Sequence, residues 1–252
     1  MKTCPDVKIN LGLHILRRRE DGFHDLETLF LPYGGISDGL EIVEAEEFAF
    51  RPSANVTWDN DLTVRAYNLL KADFDLPPVE IRLDKKSPVG AGLGSGSSDA
   101  AFTLCMLNDM FRLGLDDAAL AGYAARLGSD CAFFVYNRPM FGEGRGEILT
   151  PYEIDLSGYE IRVEIPQGVS VSTKEAYSKV VPRNLLPEQM SLREALSRPV
   201  EEWKDCLVND FEPSVFALYP QIEALKNSMY ERGAVYASMS GSGSSVFGIF
   251  RK

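Results

Sequence analysis

The segment PVGAGLGSGSSDAA, residues 88–101, places glycine at positions 90, 92, 94 and 96 and serine at 95, 97 and 98. Glycine is costly to order and adds nothing to a core, so this density needs another use. Without Cβ atoms a ligand can reach the main chain, and successive N–H groups can converge on an anion. The run leads into a strongly helical stretch, whose first unpaired N–H groups and positive dipole end point back at the loop. Pro88, Val89, Gly90, Ala91, Gly92, Leu93, Gly94, Ser95, Gly96, Ser97 and Ser98 therefore read together as a cradle for a polyphosphate. The competing reading is a surface turn with Ser97 as a helix cap. Two familiar phosphate loops are excluded. A G-x-x-x-x-G-K-[ST] loop needs a lysine, and none lies between Val89 and Lys174; the alternate spacing also breaks G-x-G-x-x-G.

Other residues of suitable chemistry are dispersed. Lys8 sits in KINL with Asn10 on the same face, and a lysine on a polar strand face is most often simply solvated. Asp130 follows LGS and precedes CAFFV, where an ordinary cap or turn aspartate is the common outcome. His24 follows Phe23 after a D-G turn; a lone histidine is more often structural than functional. Tyr177 reads equally well as a helix residue packing its own domain. GSGSS, residues 241–245, fits a hairpin turn. Lys85-Lys86 and Arg17-Arg18-Arg19 are local cation clusters that, by charge alone, read as solvated turns.

The whole chain narrows the choices. Its 252 residues are enough for a large domain or two modest ones, and 45% apolar with 25% charged residues is ordinary globular usage. A net charge of −11 disfavours a nucleic-acid partner. A phosphate ligand would have to be held by local cations against that repulsive field. There is no apolar run of spanning length and no signal-peptide pattern, so a cytoplasmic protein without a membrane partner is expected. Cys4, Cys105, Cys131 and Cys206 form no C-x-x-C pair, and His14 and His24 are the only histidines. Neither a structural zinc site nor a disulfide is expected, and no metal ligands can be assigned.

The elements that must position these residues follow from periodicity. VKINLGLHI, residues 7–15, alternates strictly and predicts a half-buried strand. Residues 25–33, 39–50 and 79–84 predict further strands. Residues 62–74, 97–111 and 118–127 carry apolar residues at helical spacing, with Gly114 and Gly128 as stops. The texture turns loop-rich near 142–158. A second unit follows, with helices near 172–180, 200–210 and 220–232 and strands at AVYASMS and SVFGIF. Strands and helices intermix without steady βαβ alternation, so the fold class is α+β. The division falls at 1–148 and 149–252.

Three segments fit one family together: KINLGLHILRRREDGFHDLETLF (8–30), PVGAGLGSGSSDAA (88–101) and SMSGSGSSVFGIF (238–250). They resemble the three motifs of the GHMP small-molecule kinases. LGSD (127–130), GEGRGEIL (142–149), GVSVST (168–173), PRN (182–184) and NDFE (209–212) extend the resemblance over nearly the whole chain. Lys-Ile-Asn-Leu followed by Asp-Gly-aromatic-His is similar to the members that phosphorylate a cytidine-diphosphate-bearing alcohol in isoprenoid-precursor synthesis. Members acting on homoserine or mevalonate, and a non-catalytic nucleotide-binding protein on the same scaffold, remain the alternatives.

The resemblance implies an ATP-binding N-terminal domain like the second domain of ribosomal protein S5. It also implies a ferredoxin-like C-terminal domain; members usually continue for another helix and strand beyond the third motif, so either this lineage is short or the sequence is incomplete. It implies transfer of the ATP γ-phosphoryl group, with magnesium accompanying ATP, to a small-molecule hydroxyl. It casts Lys8 as the catalytic lysine, Asp130 as base or orienting carboxylate, and Pro88–Ser98 as the ATP loop. Lys85 or Lys86 would reach the nucleotide. Asn10, Phe23, His24, Thr173, Tyr177, Gly241 and Ser242 are cast as substrate contacts, the aromatic-histidine pair and Tyr177 holding cytosine. An ammonium beside Asp130 would keep that carboxylate ionised. The family's adenine-side asparagine is replaced by Asp61, which cannot donate a hydrogen bond when ionised. A monomer or weak homodimer is expected.

Overall fold

A computed structural model gives the fold; the residues it describes are 1–53, 60–187 and 189–252. In chain order the strands are β1 (Lys2–Thr3), β2 (Asp6–Arg18), β3 (His24–Ser37), β4 (Gly39–Glu44), β5 (Ala49–Pro52), β6 (Val79–Asp84), β7 (Met140–Glu143), β8 (Ile148–Pro151), β9 (Tyr159–Glu164), β10 (Tyr236–Met239) and β11 (Val246–Arg251). The α-helices are α1 (Leu62–Asp73), α2 (Ser95–Phe111), α3 (Asp117–Ala125), α4 (Cys131–Tyr136), α5 (Thr173–Lys179), α6 (Leu192–Leu196), α7 (Trp203–Cys206), α8 (Glu212–Leu218) and α9 (Pro220–Glu231). The chain packs as two compact units, one of residues 1–8, 32–89 and 94–138, the other of 9–31, 90–93 and 139–252.

The first unit holds a sheet in the order β1-β4-β6-β5 and helices α1 to α4. β4 and β6 pair antiparallel from Gly39↔Asp84 to Glu44↔Val79, and β5 joins β6 in parallel. α2 buries Ala100, Leu104 and Leu107 along one face, as their spacing predicts. Its start differs from the predicted one. It begins at Ser95, because Gly94 adopts φ +68° and serves as N-cap, so Ser97 lies inside the first turn rather than capping it. It ends at Phe111, the predicted last residue, with Arg112 at φ +51°, and Asn108 ties down the following chain through the backbone of Leu115.

The second unit holds a sheet in the order β2-β3-β7-β8 and another in the order β10-β11-β9. Both pairings of the latter are antiparallel, with Met239↔Val246 next to the loop that carries GSGSS. The hairpin reading of residues 241–245 therefore holds. Beneath these strands Val215, Ile222 and Met229 of α8 and α9 pack with Ala237, Met239 and Val246. The mixture of antiparallel sheets and helices is the α+β class that the pattern predicts.

β2 departs from the half-buried expectation: both of its faces are covered from Val7 to Leu13 and beyond. Its polar row, Lys8, Asn10 and His14, is buried: Lys8 meets Asp130 and Asn10 meets Thr28, while His14 Nε2 has no hydrogen-bond partner among the described residues. A buried polar group is tolerated when such partners satisfy it.

Candidate active site

In the first unit, Lys8 and Asp130 are brought together. The Lys8 ammonium lies 3.5 Å from Asp130 Oδ2, with the lysine side chain 4% and the aspartate 30% exposed. The carboxylate is thus open to solvent, and the ammonium stands behind it. Burial drives the Lys8 ammonium below the usual lysine range, while the charge and hydrogen bond of Asp130 act the other way. Asp130 occupies the N-cap position of α4, yet its side chain makes no capping hydrogen bond. The ordinary-cap reading of this residue does not describe what its carboxylate does.

Gly94 shows why glycine is needed where the loop meets α2. A Cβ there would lie 3.1 Å from Lys8 Cε and 3.1 Å from the Phe134 ring, on a residue already at φ +68°. The first turn of α2 thereby comes against the stem of Lys8. No side chain caps this helix, so its leading N–H groups are not used up by one. Ser98 Oγ is buried in that turn without a hydrogen-bond partner among the described residues. An anion, or a water carried with it, would answer both deficits. Asp61 caps α1 instead, accepting from Thr63 N at 2.7 Å and also from Thr63 Oγ1. Lys85 is buried between Asp38 and Asp99, whereas Lys86 is exposed and lies 3.4 Å from Asp84.

In the second unit, Gly90 and Gly92 adopt φ +73° and +78°. A Cβ on Gly92 would fall 2.1 Å from the carbonyl oxygen of Ser240. The Ser240 hydroxyl accepts from Asn10 N and donates to Gly92 O, both at 3.2 Å. Ser245 N donates to Ala91 O at 3.1 Å. Residues far apart in sequence from all three motifs therefore share one hydroxyl. Asn10 Nδ2 donates to Thr28 Oγ1 at 3.0 Å, which fixes the amide. Asn209 Nδ2 donates to Met239 O and Gly241 O at 2.8 Å each and so holds the third glycine loop. Thr173 Oγ1 and Ser242 Oγ lie 3.3 Å apart.

The aromatic residues also meet in this unit. His24 stacks on Tyr177 with ring centroids 5.0 Å apart and planes 26° apart. Tyr177 sets its edge against Phe211 at 4.8 Å, so it serves the core as well. Phe23 is 54% exposed, and the Arg145 guanidinium lies 4.9 Å from its ring centroid. Partial burial, and then the charge of Arg18, push the His24 imidazole below its usual value. A neutral imidazole keeps one donor and one acceptor nitrogen. Behind this region Arg183 grips Asp210 through two bonds of 2.7 and 2.8 Å. Burial, then Arg183, push His14 down to about 4.

Sequence reasoning missed Ser240, Asp38, Asp99 and Arg145. Ser240 and Asp99 lie within recognisable motifs, but nothing in a serine or aspartate announces a partner far away in the chain. Among the described residues, no group of three or more His, Cys, Asp or Glu side chains is arranged to hold a metal ion. Among the same residues, no helix is long and apolar enough to cross a membrane.

Known proteins are similar to this chain along nearly its whole length. The family description "GHMP kinases N terminal domain" matches residues 61–138, and "GHMP kinases C terminal" matches residues 191–252. The chain is 49% identical to 4-diphosphocytidyl-2-C-methyl-D-erythritol kinase of Bacteroides fragilis, over 99% of this chain and 92% of that protein. It is 47% identical to the enzyme of the same name from Azobacteroides pseudotrichonymphae, over 100% of this chain and 94% of that one. A crystal structure of 4-(cytidine 5'-diphospho)-2C-methyl-D-erythritol kinase superposes with a TM-score of 0.82 at 33% identity, covering 99% of this chain and 90% of that one. Homoserine kinase from Cytophaga hutchinsonii shares the fold, with a TM-score of 0.66 at 19% identity, covering 98% of this chain and 86% of that one.

Proposed function

The chain belongs to the GHMP kinases, and from that premise we propose that it transfers the γ-phosphoryl group of ATP to the 2-hydroxyl of 4-diphosphocytidyl-2-C-methyl-D-erythritol. The observation that carries this reading is 49% identity over 99% of the chain to a kinase of that name. Homoserine and mevalonate kinases share only the fold, at 19% and 13% identity. Retention of the Lys8–Asp130 pair disfavours a non-catalytic binding protein.

Each residue then has a physical task. Amides of the Gly90–Ser98 stretch and the uncapped start of α2 receive the ATP phosphates. The Lys8 ammonium holds the attacking hydroxyl oxygen and stabilises the negative charge that develops on it. Asp130 accepts the hydroxyl proton and orients the lone pair toward phosphorus. The oxygen–phosphorus bond forms as the bond to the β-phosphate oxygen breaks, and ADP leaves. Positioning and charge supply most of the gain in such reactions. Magnesium bound with ATP would supply charge neutralisation at the phosphates, and no cluster of His, Cys, Asp or Glu among the described residues is arranged to hold it. His24, Phe23 and Tyr177 hold the cytosine, with the neutral imidazole bonding its edge and the rings supplying stacking. Asn10, Thr173, Gly241 and Ser242 line the rest of the alcohol's site.

We assign residues 1–148 to the nucleotide-binding domain and 149–252 to the second domain; the two family matches fall inside these bounds, whereas the compact units divide the chain differently, residues 9–31, 90–93 and 139–148 packing with the second. The enzyme acts in the cytoplasm as a monomer or weak homodimer, without a nucleic-acid or membrane partner. An ADP-release assay with magnesium-ATP tests the reaction. Release is expected with the cytidyl alcohol and not with homoserine or mevalonate. The opposite preference, or ATP binding with no ADP from any of the three, refutes it.

A further inference from the structure

We infer that Asp38, Lys85 and Asp99 form a clamp that fixes the two ends of the glycine loop and so sets the affinity for ATP without touching it. This rests on the reading that residues 88–98 hold the triphosphate. Asp38 sits in the connection between β3 and β4. Its Oδ1 accepts from the backbone N–H groups of Lys86 and Ser87, each at 2.7 Å. Its Oδ2 accepts from Ser87 Oγ and Lys85 Nζ, each at 2.6 Å. These bonds hold the chain immediately before Pro88. The same Lys85 ammonium donates at 2.6 Å to Oδ2 of Asp99, one turn into α2. One cation thus joins the segment that precedes the loop to the helix that follows it.

The side chains of all three residues are at most 4% exposed. Charge-assisted bonds this short and this buried are directional, and neither partner has water to turn to. The loop between them is tied part-way along, at Ala91 and Gly92, by Ser245 N and Ser240 Oγ. It is rich in glycine, and Gly90, Gly92 and Gly94 lie in the left-handed region. Its end-to-end separation has to be imposed from outside. Apolar side chains would fill this space at a smaller desolvation cost, but would not fix a distance with directional bonds. The cluster is held at a real cost: two carboxylates face one ammonium, and burial pushes the Asp99 carboxyl up to about 7. Lys85, a candidate nucleotide contact by sequence, is committed to this clamp.

The test uses the full chain with Asp99→Ala, Asp99→Asn and Ser87→Ala. KM for ATP, KM for the cytidyl alcohol, kcat, and Kd for a non-hydrolysable ATP analogue with magnesium are measured for each. Loss of one charge-assisted bond in Asp99→Ala is expected to raise the ATP KM and the analogue Kd about 10-fold, with the alcohol KM within about twofold of the original. Asp99→Asn, whose amide oxygen still accepts from Lys85, is expected within about threefold of the unaltered chain. Should Asp99→Ala fail to fold, Ser87→Ala carries the test, with an expected rise of about threefold in ATP KM. Unchanged ATP affinity in the folded variants, or equal losses in Asp99→Asn and Asp99→Ala, overturns the clamp. An unaltered chain that binds the analogue yet releases no ADP overturns only the reaction assigned above, and the affinity comparison still decides the clamp. One that binds no analogue overturns both.

Discussion

Replacing Ser240 by alanine probes how the three motifs are joined. The hydroxyl accepts from Asn10 N and donates to Gly92 O, both at 3.2 Å, in a fully buried position. A buried hydrogen bond contributes a net 0.5–1.5 kcal/mol, so two bonds at the long end of the range are taken at about 1 kcal/mol each. The expected loss is therefore about 2 kcal/mol. Only one oxygen is removed, so a cavity term adds little. For a chain of this size each kcal/mol moves Tm by roughly 2–4 °C, which gives a fall of about 4–8 °C. Circular dichroism or calorimetry on the full chain reads it directly. The same variant loosens Gly92 from one of its anchors, so kcat/KM for ATP is expected to fall about 10-fold, matching over 1 kcal/mol of lost positioning. Ser240→Thr, which keeps the hydroxyl, should recover most of both losses. A Tm within about 1 °C of the original together with unchanged kcat/KM would refute the argument that this hydroxyl ties the motifs together.

Lys8→Ala and Asp130→Asn should each lower kcat by about 10²–10⁴ while leaving the circular dichroism spectrum unchanged, as expected for groups that act on the transferred proton and developing charge; a rate near the original in either removes that residue from the mechanism. His24→Ala should raise KM for the cytidyl alcohol about 3- to 10-fold through lost stacking, with a smaller change in KM for ATP; equal changes count against a cytosine role. Gly92→Ala should abolish ATP binding or folding, because the new methyl would stand 2.1 Å from Ser240 O; an analogue titration on soluble protein decides it. Asp99 is raised to about 7 from 3.8, first by burial, against the lowering effect of Lys85. The folded state therefore binds a proton that the unfolded chain has released, and stability falls as pH rises from about 4 to about 7. Urea midpoints across that range should show the fall, and Asp99→Asn should flatten it.

Much of this was written in local order. Alternation in VKINLGLHI and VEIRLD placed β2 and β6, and helical spacing placed α1, α2 and α9, because those signals depend only on near neighbours. The glycine run before α2 was legible for the same reason, and Gly90, Gly92 and Gly94 take the left-handed region there. Boundaries were less legible: Gly94 turning left-handed began α2 at Ser95, a choice made by its fit against Lys8 and Phe134. Burial of the polar row of β2 was not legible at all, since a strand cannot show what will cover its second face.

The residue types of the site, and hence the class of chemistry open to it, were set by composition and spacing along the chain. The 3.5 Å approach of Lys8 to Asp130, the sharing of one hydroxyl by Asn10, Gly92 and Ser240, and the capture of Lys85 by Asp38 and Asp99 were decided only by folding. Each joins residues separated by tens to hundreds of positions, and a local pattern carries no record of which distant group will remove its water.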